Sequence, residues 1–288
     1  MTNGYVFREY IGAQFKSVQF SDVPVNAGLS FHFILAFAID YMAATQSRPK
    51  PTPANGVFAP FWDAATLSPA AAAATKKAHP NLSIMVGLGG DTVQNTGVNA
   101  TFAPTSVDTW VANAVSSLSA MINQYGLDGV DVDYEHFAAD VDTFVECTGR
   151  LLTQLKARFP RMSTSIAPFE RPEIQKYYRA LWAKYSGVID YVNFQFYGYG
   201  ANTNVDYYVG FYNLQLSNYP GSGSKLLASF KTGDVTGLLS PEQGISGAKE
   251  LQRQGKLPGL FIWSADSSKE AAYKFDYETR AQQIVANH

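Results

Sequence analysis

Between residues 128 and 137 the chain reads DGVDVDYEHF, with carboxylates at Asp128, Asp131, Asp133 and Glu135. Only 16% of the chain is charged, so like charges alternating with Val130, Val132 and Tyr134 call for a physical reason. Valine and tyrosine favour strands. In a strand, residues i, i+2 and i+4 share a face, about 6.6 Å apart per two steps. Asp131, Asp133 and Glu135 therefore share one face, and Val130, Val132 and Tyr134 the other. Three carboxylates in a confined apolar space cannot all ionise in the ordinary range. Like charge and desolvation both raise a carboxyl pKa, and the titration then belongs to the group. A carboxylic acid still protonated near neutrality is what general acid catalysis requires. Asp128 breaks the two-residue parity and reads as a structural residue in the turn into the strand. Two blander uses compete. The acids could cap helices or pair with Lys and Arg, or they could hold magnesium or calcium. No histidine shares the acidic face, because His136 follows Glu135 and points away, so neither a metal nor a cofactor is expected.

Eight short apolar runs read as buried strands: residues 5–12, 31–39, 82–90, 129–135, 162–168, 191–197, 225–230 and 259–264. Helical stretches alternate with them. Ser68 and Pro69 open an Ala-rich helix, and Ser106 opens one that Gly126 closes. A third carries Lys156 and Arg158 in its last turn, and further helices follow around residues 171–187, 205–218, 240–255 and 276–288. Only the segment between the first two strands is weak as a helix. Strand and helix alternating eight times favour an α/β fold, a parallel (β/α)8 TIM barrel, in one catalytic domain over residues 1–288. A doubly wound open sheet is second, but the Gly-rich phosphate loop after its first strand is missing. Barrel enzymes hold their sites at the C-terminal ends of the strands. Along the fourth strand Glu135 should then be most accessible, Asp133 next and Asp131 deepest.

Composition narrows the partners. The net charge is −2 with no long basic run, so nucleic acid is not expected as the main partner. No apolar run is long enough to span a bilayer. The opening MTNGYVFREY is polar and does not read as a signal peptide, which leaves an intracellular protein or a mature end. The single Cys147 has no partner for an internal disulfide and reads as an inert buried thiol.

Asp128-x-x-Asp131-x-Asp133-x-Glu135 resembles the full acidic signature of family 18 glycoside hydrolases, the chitinases. Other strands agree. The run QFY at 195–197 resembles the family's Gln-x-Tyr, GLFIWS at 259–264 its terminal strand, and LGG at 88–90 the end of its Ser-x-Gly-Gly motif. Gly87 stands where that motif usually has Ser. The start FREYIG, the run FHFILAFAI and YEH look closest to the plant branch, the class III-type chitinases of bulbs and narbonin.

The resemblance implies substrate-assisted hydrolysis of β-1,4-linked N-acetylglucosamine in chitin or its oligosaccharides. Glu135 would be the acid and base, and Asp133 would orient the acetamide. Asp131 would share a proton with Asp133, and Tyr197 would donate to the acetamide carbonyl. Gln195 would add a hydrogen bond, and Trp263 would stack beneath the sugar. Gly89, Gly90 and Ala167 would lie at the substrate, and Tyr10 is the candidate for a more distant sugar. Phe37 reads as core. The resemblance also implies a monomer, placed outside the cell or in the vacuole. Two other functions stay open: a silent storage protein, lectin or inhibitor on the same barrel, and an endoglycosidase acting on N-linked glycans.

Overall fold

The computed structural model describes residues 5–94 and 96–287. Eight strands carry the alternation read in the sequence: β1 (Val6–Ile11), β2 (Ser30–Ile39), β3 (Leu82–Gly90), β4 (Gly129–Tyr134), β5 (Ser163–Ile166), β6 (Tyr191–Asn193), β7 (Leu226–Lys231) and β8 (Gly259–Trp263). Each pairs in parallel with its neighbour, and β1 pairs with both β2 and β8, which closes the cylinder. The fold is a (β/α)8 barrel. Its helices are α1 (Pro69–Ala78), α2 (Val107–Tyr125), α3 (Val141–Arg158), α4 (Pro172–Tyr185), α5 (Val205–Asn218), α6 (Pro241–Arg253), α7 (Ala265–Glu270) and α8 (Asp276–Ala286). Among the described residues no helix is long and apolar enough to cross a membrane.

Local chemistry sets the helix ends. Ser68, Ser106 and Asp140 accept from backbone N–H groups in the first turns of α1, α2 and α3. Gly126 ends α2 at φ 63°, the left-handed conformation glycine adopts without a Cβ penalty. Asp128 has the structural role its parity indicated: it accepts from Ile84 N at 2.9 Å and pairs with Lys76 at 2.7 Å. Cys147 is fully buried on α3, and burial pushes its thiol up to about 12, so it is inert.

Three details differ from the sequence reading. The β1–β2 connection holds only a short 3-10 turn, Phe20–Asp22, in place of a helix. Between β8 and α8 there is a short α7 that the periodicity did not show. The sixth strand ends at Asn193, not Tyr197. Past it the backbone turns away, because Gln195 N donates to Pro168 O at 2.9 Å and Phe196 N to the Ser229 hydroxyl at 2.8 Å. A 3-10 turn, Phe196–Gly198, then carries Tyr197.

The top of the barrel is packed around Phe37, whose ring stacks on Trp263 at 5.7 Å and 18°. A Cβ on Gly87 would stand 2.8 Å from that ring, and one on Gly90, at φ 78°, would stand 2.6 Å from it. The missing serine at position 87 is thus space taken by Phe37. On the outer side of β1, the fully buried Glu9 has neither carboxylate oxygen hydrogen-bonded. Its neighbours Glu278 on α8 and Asp266 on α7 are acidic too.

Two predictions follow from this packing. Burial lifts Glu278 to about 7, while the Ser268 hydroxyl donates to it and pulls it down. A raised folded-state pKa means that stability is intact below about pH 4.5 and is lost as pH rises through 7, on the order of 3 kcal/mol in all. Glu278→Gln keeps an acceptor for Ser268 and should remove that loss, so denaturant unfolding of the two proteins should diverge between pH 5 and 8. Parallel stability curves would contradict the assignment. Gly87→Ser should cost about 1–3 kcal/mol by overpacking. Combining it with Phe37→Ala should recover part of that cost in a double-mutant cycle, and strict additivity would show that the two sites do not compete for space.

Candidate active site

The parity that orders β4 orders the other staves too, except that β2 shifts register between Leu35 and Ala38 and so turns Phe37 inward as well as His32. Inward positions include Arg8 and Tyr10 on β1, His32 on β2, Asp131 and Asp133 on β4, Ser165 on β5 and Asn193 on β6. Lys231 closes β7, and Phe261 and Trp263 end β8. Val130, Val132 and Tyr134 pack outward against the helices. The Tyr134 hydroxyl donates to the buried Asp40 at 2.6 Å, which fixes the end of β4 immediately before Glu135. Depth follows the expected order: Asp131 is 0% exposed, Asp133 4%, and Glu135 is half-buried at the mouth.

Asp131 is held from all sides. It accepts from the Tyr10 hydroxyl at 2.7 Å, the Ser165 hydroxyl at 2.5 Å and the Asn193 amide at 2.9 Å. Arg8 stands behind two of these donors. Its guanidinium donates to the Ser165 oxygen at 2.7 Å and to Asn193 Oδ1 at 2.9 Å. A guanidinium has donors only, so Asn193 must turn its NH2, and Ser165 its proton, towards Asp131. Arg8 Nε also donates to His32 Nδ1 at 3.1 Å, and its Cζ sits 4.5 Å over the Tyr191 ring. Burial and the Arg8 charge both hold His32 well below its ordinary range, which fixes it as a neutral acceptor at Nδ1. Ser165 on β5 thus supplies a hydroxyl to the barrel interior, where Gly87 on β3 supplies none.

The three acids titrate differently for stated causes. Burial lifts Asp131, and Arg8, Ser165, Tyr10 and Asn193 each pull it back. Burial lifts Asp133 well above its usual range, and the charges of Glu135, Asp131 and Asp91 lift it further. Against these stands one hydrogen bond, from Gln195 Nε2 at 2.9 Å. Asp131 therefore has the support that favours its carboxylate, and Asp133 is the member of the pair held further above its usual range. Burial and then Asp91 push Glu135 up to about 7, with Gln195 and Arg171 opposing.

Above the acids lies a cavity of about 460 Å³, lined among others by Asp133, Glu135, Gln195, Tyr197, Trp263 and Phe37. Its walls also include Gln14, Phe61, Asp91, Lys231 and Leu238, so the loops leave the mouth open. Tyr197 is half-buried, and its hydroxyl donates to Gln195 Oε1 at 3.0 Å, which couples the two. Gln195 also donates to Ala167 O at 3.0 Å. Among the described residues no group of three or more His, Cys, Asp or Glu is placed to hold a metal.

Some sequence expectations land elsewhere. Tyr10 is 1% exposed and sits below Trp263 at 5.5 Å, so it supports the floor and does not meet a distant sugar. Ala167, Gly89 and Gly90 lie behind the lining side chains. Gly89, at φ 98°, has no room for a Cβ against Tyr134. His136 does not point away from the site, because its Nε2 is 2.7 Å from the rim residue Asp91. Phe37 lines the cavity as well as the core. The sequence reading missed Arg8, Ser165, Asn193, Asp91 and Lys231. The two-residue parity applied to β1, β5, β6 and β7 would have found all but Asp91.

Comparison with known proteins agrees with this geometry. Residues 10–243 match the family described as glycosyl hydrolases family 18. The chain is 51% identical over 288 residues, all of its length and 89% of the relative's, to chitinase 1 of Tulipa saxatilis subsp. bakeri. The crystal structure of the catalytic domain of a chitinase from the fern Peteris ryukyuensis superposes with a TM-score of 0.91 at 51% identity, covering 98% of this chain and 100% of that one. A family 18 chitinase from Crocus vernus superposes with a TM-score of 0.90 at 42% identity, with 98% and 100% covered. With its acidic signature on the fourth stave of a closed eight-stranded barrel, the chain belongs to the glycosyl hydrolases of family 18.

Proposed function

We propose that the protein is a chitinase that hydrolyses β-1,4 linkages between N-acetylglucosamine units with retention of configuration. The observation that carries the reading is Glu135, an acid with a pKa near 7 at the mouth of an open cavity, beside Asp133, whose carboxyl is also held well above its usual range, and over the Trp263 floor. The 51% identity to a tulip chitinase supports it.

The chemistry is substrate-assisted. Glu135 gives its proton to the glycosidic oxygen as that bond breaks. The carbonyl oxygen of the neighbouring acetamide attacks its own anomeric carbon and forms a cyclic oxazolinium ion. Glu135, now a carboxylate, takes a proton from water, which opens the ring. Asp133 accepts from the acetamide N–H and holds it in place. The coupled Tyr197 and Gln195 hold the carbonyl in line, so the attack needs little further search. Trp263, stacked on Phe37, gives the apolar face of the sugar a flat surface. Arg8 acts through Asp131: its charge and the donors it orients favour the carboxylate of Asp131 over that of Asp133. The same reading takes the protein as a monomer acting on chitin or its oligosaccharides, outside the cell or in the vacuole.

Incubation with an acetylated chitin oligosaccharide should give shorter products, and Glu135→Gln should abolish them. Binding without turnover in the native protein would favour a silent lectin or storage role. Because the acid must be protonated, kcat/KM should fall as pH rises through about 7, and an alkaline limb near pH 5 would contradict the assignment of Glu135. Asp133→Ala should lower kcat by at least about 10²-fold, the scale of one preorganised electrostatic partner, and near-native turnover would remove its orienting role.

A further inference from the structure

Two charges in the cavity touch none of the reacting groups described above, although Asp91 also helps to raise Glu135. Asp91 follows β3 directly and is tied by its Oδ1 to His136 Nε2 at 2.7 Å. Lys231 is the last residue of β7, half-buried, and in register with Trp263 on β8. Staves β3 and β7 lie four apart in a ring of eight, so these charges stand on opposite walls. Asp133 and Glu135, on the stave next to β3, add to the acidic wall. Lys231 is the cation of the other wall. Among the described residues it makes no hydrogen bond or ion pair. The exposed Asp234, three residues on, feels its charge without contacting it. Lys231 lines the cavity, and nothing in the packing uses its ammonium.

Chitin itself is neutral at every unit. Its natural variation is loss of acetyl groups, and each loss leaves a glucosamine that carries an ammonium. An ammonium meets attraction at the Asp91 wall and like-charge repulsion at the Lys231 wall. At a separation of a few ångströms near a protein surface, either effect is worth tenfold or more in binding.

We propose that Lys231 is a specificity residue that excludes deacetylated units from the side of the cleft it lines, while the Asp91–His136 side tolerates them. The proposal rests on the hydrolase reading. The unit whose acetamide attacks must be acetylated in any case, so the discrimination falls on the units beside it.

The test is digestion of a partly deacetylated chitosan by the native protein, Lys231→Gln and Asp91→Asn, with mass-spectrometric sequencing of the product ends. In the native digest, glucosamine should be depleted at one position near the cut. Lys231→Gln should restore it there, raising kcat/KM for partly deacetylated over fully acetylated oligomers about tenfold. Asp91→Asn should deplete glucosamine at the opposite position. Identical patterns from the native protein and Lys231→Gln overturn the proposal, because a lysine that only hydrogen-bonds sugar hydroxyls would change KM without changing this ratio. If the native protein leaves fully acetylated oligomers uncut, the hydrolase reading falls separately. The ratio of affinities for the two oligomers, measured on Glu135→Gln with and without Lys231→Gln, then decides the role of Lys231 by the same tenfold criterion.

Discussion

The structure turns on the desolvation of three carboxylates within one barrel. Each would cost several kcal/mol if it were buried ionised and alone. Asp131 is made tolerable by Tyr10, Ser165 and Asn193, with Arg8 fixing the direction of two of those donors. Asp133 has far less support, so burial and its acidic neighbours hold it well above its usual range, and Glu135 is raised to about 7 at the mouth. The order of depth is therefore also an order of support: the deepest acid has the donors that favour its anion, and those above it have fewer. The barrel interior is polar at this level because strands β1, β5 and β6 each contribute a donor to the same carboxylate.

Packing and chemistry meet at Phe37. Its ring fills the space over Gly87 and Gly90 and lies under Trp263, so it forms part of both the core and the cavity floor. A serine at position 87 and a phenylalanine at 37 compete for one volume. The hydroxyl that β3 cannot place is matched by Ser165 on β5, which reaches Asp131 from the other side. The interior keeps its donors while the aromatic floor thickens.

Much of this was legible in the sequence. The alternation of Asp131, Asp133 and Glu135 with Val130, Val132 and Tyr134 fixed which face met the interior, and the strand–helix alternation implied closure. Three things were hidden, for physical reasons. Backbone hydrogen bonds to Pro168 and Ser229 end β6 early, and no side-chain pattern reveals them. Tyr10 read as a contact for a more distant sugar because its position in β1 says nothing of the rings packed against it. Glu9 and Glu278 gave no signal in the sequence, because buried acids without cations are rare, yet both are fully buried. Arg8 was visible at an inward position of FREYI, but its meaning needs Ser165 and Asn193, 157 and 185 residues away.

The most direct test of this order is a site-resolved carbon NMR titration of carboxyl-labelled Asp and Glu, made in a Glu278→Gln background to remove the other acid that titrates near 7. As pH falls through 6, Asp133 should take up a proton before Asp131, and Glu135 should titrate near 7. A proton resident on Asp131 at that pH, with Asp133 and Glu135 both ionised, would contradict the arrangement from which the proposed chemistry is derived.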